Sequence, residues 1–420
     1  MKSSWLTALI VAGLLLGIAT GYGVHVTLDP ARAKLFAEGA DLLPFAFLRL
    51  IRMIIAPLVF TTLVAGIAKM GDIATIGRIG GQTLALFMVA SVISLVLGLA
   101  LVELLQPGRM TTLQLPPADS TSGIVAGAMT MRSFIEHLLP TSILDAMARN
   151  EVLQIVVFSL FFGTAMAALG ERCRLLLDGI GALAQVMLKV TGYVMLFAPL
   201  AVFGSLAATV AREGLGIIGV YGAFIGEFYL GLVLLWLLII AVGVALVGRR
   251  ALRLVRDIRE PVLLAFSTAS SEAAYPATLR ELERFGCSNR VASFVLPMGY
   301  SFNLMGSMMY CSFALMFLAQ LYRIEMGLGR QVMLMLILLL ASKGMAGVPR
   351  AGLVVVAATV TQVGIPEAGV LLLAGADHFL DMGRTATNVV GNSIATAIVS
   401  RWEGELTPPV TSQPRSSERA

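Results

Sequence analysis

The segment Gly375–Val399, GADHFLDMGRTATNVVGNSIATAIV, places Asp377, Asp381, Arg384, Asn388 and Asn392 four, three, four and four residues apart. At about 3.6 residues per turn these side chains share one face of one helix, with Thr385 beside them. The stripe lies in a segment that otherwise reads as apolar, 367–400. A charge at the bilayer centre costs about 2.5–3.5 kcal/mol on insertion scales, so such a face needs a partner or a wet cavity. The plainer alternative is a self-satisfied set in which Asp377 or Asp381 neutralises Arg384. That leaves the two asparagines unexplained.

The rest of the chain supports a membrane setting. Of 420 residues, 58% are hydrophobic and 13% charged, and the mean hydropathy is +0.88. Soluble domains carry about 25% charged residues, so soluble enzymes and nucleic-acid binders are set aside. Apolar segments fall near 5–24, 44–69, 82–105, 152–169, 178–210, 216–248, 291–322, 331–341, 351–364 and 367–400. About 20 apolar residues cross the hydrocarbon core as a helix. The expected class is an all-α polytopic inner-membrane protein. The net charge of +5, and the run Arg249, Arg250, Arg253, Arg256 and Arg259, read as a cytoplasmic loop under the positive-inside bias. The first apolar segment reads as an uncleaved membrane helix, and the Pro/Ser/Thr-rich stretch 403–420 as a disordered tail. Cys173, Cys287, Cys311, His25, His137 and His378 lack CxxC or HxxxH spacing. No disulfide framework, haem or zinc site is therefore expected. With no nucleophile–base pair either, no enzymatic role and no cofactor are expected.

Two regions resist a simple helix reading. Residues 257–285 contain AFSTASSEAAYPATL (Ala265–Leu279), and residues 331–364 are two short apolar arms around SKGMAGVPRAG (Ser342–Gly352). Each is interrupted by Gly, Pro, Ser and small residues. Non-helical backbone at membrane depth is tolerated only where it is buried in protein or lines a cavity. Paired broken segments are the sequence pointer to a transporter's binding site. Two re-entrant hairpins are therefore expected, with backbone N–H groups exposed near Ser270, Ser271, Gly347 and Gly352. Such groups favour a carboxylate. Arg384 can take a carboxylate bidentately and an acid of the stripe can take an ammonium, so an acidic amino acid fits.

The strings FSTASSEAAYP, PMGYSFNLMGS, GMAGVPRAG and DMGRTATNVVGN resemble the signature regions of the glutamate transporter family. That family covers bacterial proton- or sodium-coupled glutamate/aspartate and C4-dicarboxylate symporters. The likeness runs from RMIIAPLVFTTLVAGIAKMGD (52–72) to Arg401. The resemblance implies eight transmembrane helices plus two re-entrant hairpins, inverted repeats and an elevator-type homotrimer. It implies scaffold helices in 1–75 and 130–210, and helix 3 of a transport unit at 76–107. The rest of that unit spans 216–402, with hairpins at 257–285 and 331–364. Carried over by motif, Arg384 would hold the substrate's side-chain carboxylate and Asp381 its amino group. Asn388 and Thr385 would help, and backbone around Ser270, Ser271 and Val348–Gly352 would take the α-carboxylate.

The chain departs from the sodium-coupled members of that family. Where they carry Asn-Met-Asp-Gly-Thr, this sequence has Asn303-Leu304-Met305-Gly306-Ser307. Methionine is a poor ligand for a hard cation, which takes oxygen donors. The helix-3 positions that match a Tyr and a Thr-Ser pair are Phe87, Ala90 and Ser91, and an acid of a second cation site becomes Asn392. Their joint loss points away from sodium and toward a proton. The glutamate that carries the proton in animal members falls at Cys311. Glu272, Asp377 and Asp381 remain as carriers. Glu272 is alternatively a gate partner, for Arg350 among others. The expected activity is proton-coupled import of glutamate or aspartate. A C4-dicarboxylate symporter is the alternative, which Asp381 opposes, and an anion channel or membrane sensor is a further one.

Overall fold

Almost all of the residues described in the computed structural model are helical. They are 3–68, 73–110, 135–136, 138–214, 217–341 and 351–407, and among them there is no strand beyond one isolated bridge. Among the described residues, six stretches are long and apolar enough to cross a membrane: Ala8–Thr27, Pro30–Ala68, Gly77–Arg109, Val152–Glu213, Tyr221–Val247 and Asn289–Leu321. The protein is therefore a multi-pass membrane protein. Large apolar side chains face outward along these helices, including Leu15, Leu16, Phe161 and Leu175.

The first helices are α1 (Ser3–Thr27), α2 (Pro30–Ala68) and α3 (Ile73–Leu105), followed by the single turn α4 (Pro107–Met110). Then come α5 (Ile143–Arg149), α6 (Val152–Leu169), α7 (Arg174–Val194) and α8 (Ala198–Glu213). Helix α1 is seated on α8 by glycines four residues apart. A Cβ at Gly13, Gly17 or Gly21 would come within 2.5, 2.7 and 2.7 Å of the carbonyl oxygens of Pro199, Phe203 and Ala207. Small residues at this spacing let two membrane helices touch backbone to backbone. His25 extends the contact, its Nδ1 lying 3.1 Å from Ala211 O. Helix α2 packs on α8 and α6.

The second half is built around the last helix. Helix α9 (Ile217–Val247) leads through α10 (Arg250–Asp257) to the pair α11 (Arg259–Thr268) and α12 (Ser271–Phe285). Ala269 turns this pair with left-handed backbone (φ 49°, ψ 33°), and Ser270 caps α12 by accepting from Ala273 N at 3.3 Å. Next are α13 (Asn289–Phe302), α14 (Met305–Leu321), α15 (Leu328–Ala341), α16 (Ala351–Val360) and α17 (Gly369–Trp402). Asn303 (φ −129°, ψ 59°) and Leu304 (φ −91°, ψ 64°) break the run between α13 and α14. Helix α17 packs against α9, α11, α13 and α14, and its polar stripe explains why it is missing from the apolar spans. Trp236 of α9 donates to Thr387 Oγ1 at 2.8 Å, and Tyr229 donates to Phe379 O at 2.7 Å.

The tail expectation is corrected at its start. Residues 403–407 are tied to the α12–α13 turn, with Thr407 N donating to Gly286 O at 2.9 Å and Cys287 bridging Leu406. Glu405 holds Ser288 and Arg290, and Arg250 Nη2 donates to Thr407 O at 2.7 Å. Paired backbone and ionic partners outweigh the polar composition that made this stretch read as disordered.

Candidate functional site

The stripe of α17 turns into the protein. Asp377, Asp381, Arg384, Thr385, Asn388 and Asn392 are all buried. Arg384, 1% exposed, donates from Nε to Asp381 Oδ1 at 2.7 Å and from Nη1 to Asp377 Oδ1 at 2.9 Å. Thr385 Oγ1 donates to the same Asp381 oxygen at 3.4 Å. A buried guanidinium with two carboxylates is a strongly coupled set, and removing one member strands the others. The expected pairing within the stripe therefore exists, yet it does not use the whole guanidinium. Nη2 of Arg384 has no hydrogen-bond partner among the described residues.

Two neighbours shape the space around that nitrogen. Tyr310 of α14 lies under the guanidinium, with Arg384 Cζ 4.2 Å from the ring centroid. The ring's negative face offsets part of the cost of keeping the cation out of water. Gly352 of α16 meets both the ring and the guanidinium. A Cβ there would sit 3.2 Å from Arg384 Nη1 and 3.0 Å from Tyr310 Cδ1. Gly352 O accepts from Cys311 Sγ at 3.8 Å, so Cys311 holds the start of α16. The residues before it, including Gly347, Val348 and Arg350, lie outside the described residues.

The helix break supplies the opposite wall. Asn388 accepts from Gly306 N at 2.8 Å and donates to Ser307 Oγ at 3.2 Å. Gly306 is pressed against α17, where a Cβ would come 2.7 Å from Arg384 Cα. One turn further on, Asn303 Nδ2 donates to Asn392 Oδ1 at 2.8 Å. Asn303 Oδ1 and Asn392 Nδ2 have no partner among the described residues. Asn303 and Met305 also line an apolar cavity of about 80 Å³ with Ala90, Gly391 and Ile394. Phe87 and Ser91 are both buried.

The α11–α12 turn approaches the same helix. Ala265 and Ala274 pack on Val389, next to Asn388. Ser270 and Ser271 are each 5% exposed. The Ser270 hydroxyl is occupied in capping α12, so the expected contact at this helix start remains one of backbone N–H groups. Glu272 does not join the Arg384 cluster. The charges that bear on it are Arg52 of α2 and Glu151 at the start of α6. Among the described residues no group of His, Cys, Asp and Glu is arranged to hold a metal ion.

Sequence reasoning missed Tyr310 and Gly306. Gly306 was quoted within a motif, but nothing in its spacing predicts which backbone it meets. Tyr310 sits in an apolar run without a local signal.

Residues 6–402 match the model of the sodium:dicarboxylate symporter family. The chain is 36% identical over 415 residues, 96% of each chain, to the proton/sodium-glutamate symport protein of Geobacillus stearothermophilus. It is 37% identical over 375 residues to the C4-dicarboxylate transport protein of Rhizobium etli, covering 88% of this chain and 85% of the relative. The C4-dicarboxylate transport protein of Anaeromyxobacter sp. (strain K) is 38% identical over 378 residues, 88% of this chain and 86% of that one.

Proposed function

Since the chain belongs to the sodium:dicarboxylate symporter family, we propose that it imports acidic amino acids, glutamate or aspartate, together with protons. The observation that carries the reading is Arg384: a fully buried cation whose Nη2 amino group has no partner among the described residues, backed by Tyr310 and edged by Gly352. A buried unpaired N–H donor calls for an acceptor, and a substrate carboxylate is an acceptor of matching geometry and charge. Asp381 would take the ammonium, helped by Thr385 and Asn388. The N–H groups at the start of α12, around Ser271, and the backbone from Val348 to Gly352 would take the second carboxylate.

The proton reading rests on what stands where oxygen ligands would be needed. Ala90 and Met305 line an apolar cavity, Phe87 is apolar, and Asn392 is engaged with Asn303 instead of offering a carboxylate. Dehydrating sodium there would leave it short of hard donors. Asp377 or Glu272 would carry the proton. Residues 1–75 and 130–210 would form a trimeric scaffold and residues 76–107 and 216–402 a moving unit. In that unit α11–α12 and α15–α16 would be the two re-entrant hairpins, in an inner membrane.

The relatives' names also favour a second reading, C4-dicarboxylate import. Asp381 separates the two, because a substrate without an amino group gives this acid nothing to bind. The deciding experiment is uptake of labelled aspartate, glutamate and succinate into proteoliposomes under imposed proton or sodium gradients. Wild type should accumulate the amino acids on a proton gradient, and Asp381→Asn should lose them far more than succinate. A wild type that prefers succinate gives the dicarboxylate reading, and uptake that requires sodium and ignores the pH gradient removes the proton.

A further inference from the structure

Helix α17 also makes a polar contact toward α8, on a face the binding site does not use. His378 follows Asp377 by one residue, about 100° around the helix, and reaches α8. Its Nε2 lies 3.0 Å from Thr209 Oγ1, a hydrogen bond whose proton either group can supply. Thr209 is 6% exposed and His378 half-buried. The buried small residues beside it face other helices: Ala207, Val210 and Ala211 meet α1 at Gly21, and Ala208 and Ala211 cluster with Ala37 of α2.

These two residues belong to different parts of the molecule. Thr209 is on the helix into which α1 is fitted through Gly13, Gly17 and Gly21, a backbone-to-backbone seam with little freedom to slide. His378 is on the helix that carries Arg384. A directional hydrogen bond in a low-dielectric interface must be replaced or left unmade when the helices move.

We propose that His378 is a positioning residue for transport, latching the site-bearing helix α17 to Thr209 of α8 in this conformation and releasing it when the two move apart. The proposal rests on the reading of the chain as a transporter with a moving unit. Polar couplings between membrane helices average about 0.6 kcal/mol and reach about 1.7, which converts to about threefold and at most about 20-fold in a conformational equilibrium.

The test uses full-length protein in proteoliposomes. Spin labels at two outward-facing positions, Leu200→Cys on α8 and Leu371→Cys on α17, with Cys173→Ser, report the separation of the two helices. His378→Ala and Thr209→Val should each shift the distance populations about threefold, and the double variant should shift them no further than either alone. In a second arm, mercury bridging of a Thr209→Cys/His378→Cys pair should arrest uptake reversibly, while each single-cysteine variant keeps transporting. Unchanged or additive population shifts, or full uptake by the bridged protein, overturn the latch. Absence of uptake by wild type of any acidic substrate instead fails the transport reading, and the distance measurement still reports on the hydrogen bond.

Discussion

Asn303 donates its side-chain Nδ2 to Asn392 Oδ1 at 2.8 Å, and both residues are fully buried. This neutral amide pair ties the break between α13 and α14 to α17. On the proposed proton reading, this pair takes the place of an ion in holding the break. The arrangement leaves one buried carbonyl and one buried NH2 for a bound water to satisfy.

Asn392→Asp tests that account. The change keeps the size and an acceptor for Asn303, but adds a charge at a fully buried position. Burying an unpaired carboxylate is costly unless a proton or cation neutralises it. Proteoliposome uptake by the variant should fall in sodium-free medium and recover in part when sodium is added. Equal uptake with and without sodium would show that the amide pair does not stand in for a cation.

Arg384 gives the sharpest substrate prediction. Losing the partner of a buried carboxylate costs about 2–5 kcal/mol, a loss of about 30-fold or more in affinity. Arg384→Ala should abolish measurable uptake of acidic substrates, and it also strands Asp377 and Asp381. Arg384→Lys keeps the charge but loses the planar stack on Tyr310 and the forked donors. It should therefore retain assembly while binding at least tenfold more weakly. Wild-type affinity in the lysine variant, measured by substrate-dependent thermal stabilisation, would refute the role.

The stripe was legible from spacing alone, since Asp377, Asp381, Arg384, Asn388 and Asn392 share a helix face whatever surrounds them. Apolar run lengths likewise located α6, and the small-residue cluster at 268–271 marked the α11–α12 turn. Contacts between segments distant in sequence were not legible. Nothing near Tyr310 announces that it will lie under Arg384, 74 positions later, and nothing near His378 announces Thr209. The spacing of Gly13, Gly17 and Gly21 was a readable signal for helix contact, although the partner helix was not. Residues 403–407 misled because composition reports the average behaviour of a stretch, whereas their order comes from Gly286, Arg290 and Arg250.

Gly306 should tolerate no side chain. Its N–H is bonded to Asn388 and its Cα faces the backbone of Arg384, where even a Cβ would be 2.7 Å from Arg384 Cα. In a packed interior such overlap forces backbone shifts costing about 1–3 kcal/mol. Gly306→Ala should therefore lower the melting temperature and weaken substrate affinity, because the displaced backbone is the one that aims Arg384. Unchanged affinity in a correctly folded Gly306→Ala protein would mean that the wall and the guanidinium are not mechanically linked.

The last prediction concerns the C-terminal strap, which carries its own pH dependence. Glu403 follows the end of α17 and is held by Arg78 of α3 through two bonds, Nη2 to Oε2 at 2.6 Å and Nε to Oε1 at 3.0 Å. The hydrogen bond from Arg78 is the main cause holding the Glu403 carboxyl below its usual range, with burial acting against it. A carboxyl with a depressed folded value binds fewer protons folded than unfolded. Its stabilisation is therefore complete above the ordinary glutamate range, about 4.3, and disappears as the pH falls through the lower folded value. Trp402 is adjacent and 43% exposed, so its fluorescence reports the strap, in a Trp5→Phe background that removes the other strongly exposed indole. The wild-type signal should hold at neutral pH and change only below the ordinary glutamate range. Arg78→Ala should move the midpoint upward, toward that range. Identical midpoints in the two proteins, or release on raising the pH, would show that the Arg78–Glu403 pair does not hold the strap.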